Sequence, residues 1–155
     1  MANHFDQVAE FMNVSEQPVR TAPSTIDEKT LDFRLSLVME ETQELAEAVE
    51  NDDYVEMVDA LADIIYVVDG FAHTLGVDLN KAFRLVHESN MTKFCVSEEE
   101  AKETVEWYKK NESRYDSPAY RLSKGGRWIV YNKSTSKVLK SINYKPVDLT
   151  QFRPT

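Results

Sequence analysis

Between Glu40 and Asp63 the chain reads EETQELAEAVENDDYVEMVDALAD, with ten acidic residues and no Lys or Arg. The nearest basic residues along the chain are Arg34 and Lys81. The same stretch carries apolar residues at helical spacing, so some of these acids share a face with residues that belong in an interior. Burying an unpaired carboxylate is costly, and neighbouring like charges add to the penalty. Any fold of this chain must therefore compensate the block with protons, with a basic segment from elsewhere, or with bound cations.

The apolar pattern predicts helices through most of the chain. Residues 3–13 form a short helix with Phe5, Val8 and Met12 on one side. Pro18 and Pro23 mark residues 15–25 as loop. A long helix starts near Ser24 or Thr25, either of which can cap it, and carries Leu31, Leu35, Val38, Leu45 and Val49 to about residue 50. Asn51, Asp52 and Asp53 break it and can cap a second long helix over 54–75. That helix is apolar nearly all round, with Tyr54, Val58, Leu61, Ile64, Ile65, Val68 and Phe71, the pattern of a helix buried in a bundle or an oligomer interface. Gly76 stops it. A third core helix over 79–91 uses Ala82, Phe83 and Val86. Ser97 and Glu100 make a capping box for a more polar helix running to about Lys110. After Asn111 the sequence alternates and carries a Gly-Gly turn, predicting an antiparallel meander at 119–123, 127–132 and 137–143, then a loop from Pro146. The fold class expected is mainly α, with a helical domain over residues 1–112 and a small antiparallel β meander over 113–155 packed on the same domain.

Composition narrows the function classes. The 155 residues suffice for one domain with a real core. No apolar run reaches membrane-spanning length, and the N-terminus lacks the basic start and apolar stretch of a signal peptide. A single cysteine, Cys95, forms no internal disulfide and is expected as a buried thiol in a reducing compartment. These features point to the cytoplasm, or the host cytoplasm for a phage-encoded chain, with no membrane partner. The net charge of −9 argues against a nucleic-acid polymer as partner. Charge is also unevenly placed: residues 35–80 hold twelve acids and no Lys or Arg, whereas residues 117–145 hold seven Lys or Arg and no acid. The two segments either face one ligand or attract each other or a neighbouring subunit.

On a helical wheel with Leu45 at zero, Val38, Val49 and Leu31 fall within about 40° and Glu41 at roughly −40°, inside the apolar arc. Glu44 lies at its edge near −100° and Glu40 beyond it near −140°, by the same geometry. On the second long helix, with Glu56 at zero, Asp59 lies near −60° and Asp63 near −20°, a stripe about 10 Å long. Glu56 suits the helix dipole at its start; Asp63, flanked by Ala62, Ile64 and Ile65, has no such explanation. Oxygen-only ligands at this density favour Mg²⁺, with Mn²⁺ the alternative, and the cluster has no Cys or His for zinc. The Glu-x-x-His pairs of a di-iron bundle are absent. The competing structural reading is two acidic faces kept apart by water or paired with the basic tail.

These residues carry a resemblance. EETQE fits the Glu-Glu-x-x-Glu element of the all-α nucleoside triphosphate pyrophosphohydrolases of the MazG type, and DALADIIYVVDGFAHTLGVDLNKAFRLVHESNMTK looks like their second metal-binding helix and the helix after it. The likeness covers roughly residues 25–95, and the stretch after them is similar to the C-terminal extension of MazG-like proteins of bacteriophages. Many members carry Glu-x-x-Asp on the second helix; here Asp63 takes the Asp position while the Glu position falls on Ala60. Asp59 with Asp63 is the favoured pair, and Glu56 with Asp59 is the other register.

The resemblance implies a MazG-like, oligomeric helical bundle that hydrolyses a nucleoside triphosphate between its α and β phosphates, releasing the monophosphate and pyrophosphate. It implies that Glu41, Glu44, Asp59 and Asp63 hold the principal ion, with Glu56 in support. Glu40 is then the candidate catalytic base or a ligand of a second ion. Asn90 and Lys93, in SNMTK, resemble the family's substrate contacts, and Arg121 (with Lys124 and Arg127) adds positive charge for phosphate. Trp107 and Trp128 are expected in core packing, and His87 as a core histidine. The apolar second helix predicts a homodimer or homotetramer. Two other readings stand beside the enzyme: a non-catalytic helical module that binds a partner through its acidic face, and a phosphoribosyl-ATP type hydrolase, ranked lower because the C-terminal meander resembles the phage type. The base of the nucleotide is left open.

Overall fold

The structure, a computed structural model, describes residues 2–155. Five helices, α1 (His4–Val14), α2 (Glu28–Glu50), α3 (Tyr54–Leu75), α4 (Leu79–Met91) and α5 (Glu98–Asn111), precede three strands, β1 (Pro118–Leu122), β2 (Trp128–Asn132) and β3 (Lys137–Leu139). The strands form one antiparallel sheet in the order β1-β2-β3. The fold is mainly α with a small C-terminal meander, as the sequence pattern predicts. Among the described residues, no single helix is long and apolar enough to cross a membrane. The chain forms two compact units, one made of residues up to Phe83 with Leu149–Thr155, the other of Arg84–Asp148.

In the first unit α2 and α3 pack along each other as a helical hairpin, and α1 packs on α3. The turn between α2 and α3 is built by the predicted acids: Asp52 takes a left-handed conformation (φ 52°), and the Asp53 side chain accepts from the Glu56 N–H to cap α3. The cap of α2 differs from expectation. It is Asp27, whose carboxylate accepts both the N–H (3.0 Å) and the hydroxyl (2.7 Å) of Thr30. Ser24 is unavailable because its hydroxyl donates to the Ala22 carbonyl and its N–H to the Leu75 carbonyl.

Polar groups fasten α1 to α3. His73 stacks on Phe5 with ring centroids 3.8 Å apart, and its Nε2 lies 2.8 Å from the Phe5 carbonyl. Buried Asp69 receives His4 Nδ1 at 2.5 Å. Gly76 ends α3 in the left-handed region (φ 77°), where a Cβ would fall 1.9 Å from the Ala22 carbonyl oxygen.

Two expectations about burial on α4 are corrected. Phe83 is 70% exposed, and α4 buries Ala82 instead. His87 is exposed rather than a core histidine. Tyr54, Val58, Leu61, Ile65 and Val68, expected to be buried in a bundle or an oligomer interface, are exposed along α3 in the single chain. The buried side of α3 is narrow and made of Ala60, Asp69, Gly70, Ala72, His73 and Thr74.

In the second unit α5 packs on β1 and β2 over a core of Cys95, Ala101, Val105, Val130 and Leu139. Cys95 is buried as expected, and its backbone pairs with Trp128 in both directions at 2.9 Å. Ser97 caps α5 through the Glu100 N–H, while the Glu100 carboxylate reaches back to the N–H of Val96. Trp128 packs on the core as predicted, but Trp107 stays 44% exposed. The third strand is shorter than predicted because the chain after Leu139 turns to bond elsewhere, Ser141 N–H donating to the Lys93 carbonyl.

Replacing Gly76 with Ala forces a left-handed backbone and a collision with Ala22. Urea denaturation should show a loss of about 2 kcal/mol or more, against about 1 kcal/mol for Asp27→Ala, which removes only a cap.

Candidate active site

The helical hairpin brings carboxylates from both arms together. Ligand oxygens of Glu41 and Glu44 on α2 and Asp63 on α3 all lie within 4.8 Å of one another. Glu41 and Asp63 are half-buried and Glu44 is exposed. Glu41 Oε2 is fully enclosed and has no hydrogen-bond partner. Among the described residues, no Lys, Arg or His forms an ion pair with any of the three.

The electrostatic consequence follows from that isolation. The Glu41 carboxyl is pushed above its ordinary value, first by desolvation, then by Glu44, Asp63 and Glu40. Asp63 is also raised, by desolvation and then by the charges of Asp59 and Glu44. Both carboxyls therefore resist ionising together unless a positive charge enters.

A divalent cation is the group this donor set fits. Mg²⁺ takes oxygen ligands at about 2.1 Å, so oxygens clustered within a few ångströms can share one ion. The enclosed Oε2 of Glu41 is an acceptor with no protein donor, as a ligand atom would be. Glu40 and Asp59 stand outside the triad and act on it through their charge. Glu56 is exposed in the first turn of α3, where its N–H is spent on the Asp53 cap.

The sequence-predicted substrate contacts fall in the second unit. Asn90 is exposed near the end of α4. Lys93 Nζ lies 5.9 Å from the centroid of the Tyr144 ring, and the Arg121 guanidinium 5.5 Å from that of Tyr131. Lys124 and Arg127 are exposed in the turn between β1 and β2. Sequence reasoning overlooked Arg34, which is buried in the first unit and whose Nε has no partner. The signal was available: on the α2 wheel it falls at about −20°, a full charge on the apolar arc.

A carboxylate-lined, cation-free site on an α-helical hairpin suits metal-assisted chemistry on phosphates. The family described as phosphoribosyl-ATP pyrophosphohydrolase matches residues 8–90. The chain belongs to that family and so to the MazG-like superfamily of nucleotide pyrophosphohydrolases. The match spans most of α1, all of α2 and α3 and most of α4, and thus includes the whole triad. An uncharacterized protein of Acanthamoeba polyphaga mimivirus is 25% identical over 93% of this chain and 93% of its own length. The chain is accordingly a pyrophosphohydrolase by family, the class the resemblance implies.

Raised carboxyls have a defined pH signature. The folded cluster binds protons more tightly than the unfolded chain, so its contribution to stability is greatest in acid. That contribution falls as pH rises from the ordinary carboxylate range through the raised folded values. Melting curves in chelator should show this fall, and Glu41→Gln should flatten it. MgCl₂ at about a hundredfold excess over its dissociation constant should raise the midpoint by about 5–10 °C near pH 8, by less near pH 5, and not at all in Glu41→Gln.

Proposed function

We propose that the protein is a Mg²⁺-dependent nucleoside triphosphate pyrophosphohydrolase that cleaves between the α and β phosphates. The observation that carries this reading is the convergence of Glu41, Glu44 and Asp63 with an enclosed, partnerless oxygen and, among the described residues, no ion pair to a protein cation. Water adds to the α phosphorus, the bond to the bridging oxygen breaks, and pyrophosphate leaves with the nucleoside monophosphate as the other product.

Glu41, Glu44 and Asp63 hold the ion, with Asp59 beside Asp63 and Glu56 as a further acid of the same helix. Mg²⁺, or Mn²⁺ in its place, would supply neutralisation of the phosphate oxygens and acidification of water. Glu40 is exposed one residue from the triad and close enough to act on Glu41 by its charge, which suits it to take the proton of the attacking water. Asn90, Lys93 and Arg121 are the candidate substrate contacts of Arg84–Asp148; among the described residues neither Lys93 nor Arg121 forms an ion pair. A nucleotide-pool enzyme would act in the cytoplasm, the host's for a viral chain, and the mimivirus relative is consistent with that setting.

The family match favours a second substrate, phosphoribosyl-ATP, which presents the same anhydride on a larger nucleotide. A panel of nucleoside triphosphates and phosphoribosyl-ATP, read as pyrophosphate released with Mg²⁺ or Mn²⁺, separates the two. Glu41→Gln and Asp63→Asn should each lower the rate by about 10²–10³-fold, several kcal/mol of transition-state stabilisation, while melting no lower than the parent. Normal partner binding and no turnover in parent or variants would identify a non-catalytic helical module instead.

The proposal includes a homodimer or homotetramer. Val58, Leu61 and Ile65 on α3 are 53%, 53% and 47% exposed, and Phe83 is 70% exposed, so a broad apolar face is open to a second copy. Light scattering should give a multiple of 17.9 kDa, and Leu61→Glu with Ile65→Asp should return the mass to that of one chain.

A further inference from the structure

Arg34 is 7% exposed, yet its only hydrogen bond among the described residues runs from Nη2 to Gln17 Oε1, at 2.7 Å. Its Nε is enclosed and has no partner. A guanidinium has five N–H donors and no acceptor, so the enclosed Nε–H is left unsatisfied. Among the described residues no carboxylate forms an ion pair with it, and the 150 Å³ cavity it lines has no acidic residue in its wall. The acids that crowd Glu41, two helical turns further along α2, are not paired with it either.

The surroundings are built around this side chain. Gly70 on α3 lies so close that a Cβ there would sit 3.1 Å from Nη1. Glycine inside a helix is unfavourable by about 0.5–1 kcal/mol relative to Ala, and here its bareness makes room for the guanidinium. Gln17 is oriented from behind, its Nε2 donating to Ser15 Oγ at 2.9 Å, which leaves Oε1 facing Arg34. The cavity is rimmed by Phe11, Phe33 and Tyr66, which are 51%, 54% and 40% exposed. Phe11 and Tyr66 meet edge to face with centroids 5.6 Å apart, and the Phe33 centroid lies 5.7 Å from Arg34 Cζ. Three exposed rings around one buried donor form a slot for a flat, apolar-faced ligand that presents acceptors at its edge.

The slot lies along the same hairpin as the carboxylates. Arg34 precedes Glu41 by seven residues on α2, a rise of about 10 Å on nearly the same face. Tyr66 follows Asp63 by three residues on α3, a rise of about 4.5 Å. A nucleoside 5′-phosphate spans such a separation from base to phosphate.

We propose that this cavity is the base-recognition site and that Arg34 selects a nucleobase with two adjacent acceptors on one edge. Guanine offers O6 and N7, and cytosine offers O2 and N3. Adenine and uracil or thymine place an N–H beside every acceptor that has a polar neighbour on its edge, and a guanidinium cannot accept from it. A phosphate is the poorer occupant, because one cation among aromatic rings gives it no second counter-charge. The inference rests on the nucleotide-hydrolase reading for the role of the site, but not for its binding chemistry.

The test separates the two. In chelator, without turnover, ligand-observed NMR on the full chain compares the 5′-monophosphates of guanosine, cytidine, adenosine and uridine, with pyrophosphate as a competitor. Guanosine or cytidine monophosphate should bind at least about tenfold more tightly than the other two, and which of the pair leads identifies the base. Arg34→Met should erase the discrimination. Gly70→Ala, which crowds Nη1, should reduce it, and serves if Arg34→Met fails to fold. Phe33→Ala at the rim should weaken all four ligands while preserving their order. Equal binding of all four, no binding of any, or equal displacement by pyrophosphate in parent and Arg34→Met would overturn the proposal. Discrimination without pyrophosphate release in any assay would leave the slot standing and remove the hydrolase reading.

Discussion

Three carboxylates held within 4.8 Å, with no ion pair to a protein cation among the described residues, are the constraint around which the first unit is arranged. Uncompensated charge is tolerated because the α2–α3 hairpin is fastened from other directions. The Asp53 cap fixes the turn at one end, Gly76 locks the other against Ala22, and His73 and Asp69 tie α1 across the opposite part of α3. Stability is thus supplied away from the cluster, while the cluster itself is left strained in charge and receptive to a cation. This division is common where function needs an arrangement that folding alone would not select.

Much of this was legible in the residues. The acid positions of the triad could be read from helical angles, because a 3.6-residue period is rigid enough to place Glu41 among leucines and Asp63 on an apolar helix. The breaks at Asn51–Asp53 and Gly76 were legible because left-handed backbone and short polar caps have few alternatives. Burial was read less well. Phe83 looks like core in a one-dimensional pattern, and the Val58–Leu61–Ile65 face fits a bundle interior or an oligomer interface equally, since apolar periodicity marks a surface that wants covering without saying by what. The start of α2 was misplaced because Ser24, Thr25 and Asp27 are all competent caps; the choice was made by Ala22 and Leu75, which claim Ser24 through contacts distant in sequence. His87 shares the face of Phe83, and with Phe83 open to solvent it is exposed as well.

Two violations of local rules carried information that a motif reading passes over. Arg34 is a full charge on the apolar arc of α2, and Gly70 is a helix-weakening residue in the middle of α3. Either alone is unremarkable on the page of a sequence. Together they form one feature, because the missing side chain of Gly70 is the space that Arg34 occupies. The pairing is invisible without knowing that the two helices pack side by side.

On the proposed reading, the same hairpin lets catalysis and recognition use different residues. An α-helix repeats a face every two turns at about 10 Å, so a single pair of helices can offer a metal-binding face at one level and a donor at another. Acids gather where Glu41 meets Asp63, and a lone guanidinium sits where α2 meets Gly70. On the proposed reading, carboxylates without an ion-pair partner and a guanidinium bonded only to Gln17, two turns apart, match a ligand that is itself divided: an anhydride needing a cation between it and the carboxylates, and a base whose edge needs donors. A phosphate-binding site alone would explain the acids and leave Arg34 unaccounted for; a purely structural arginine would explain neither its free Nε nor the rings around it.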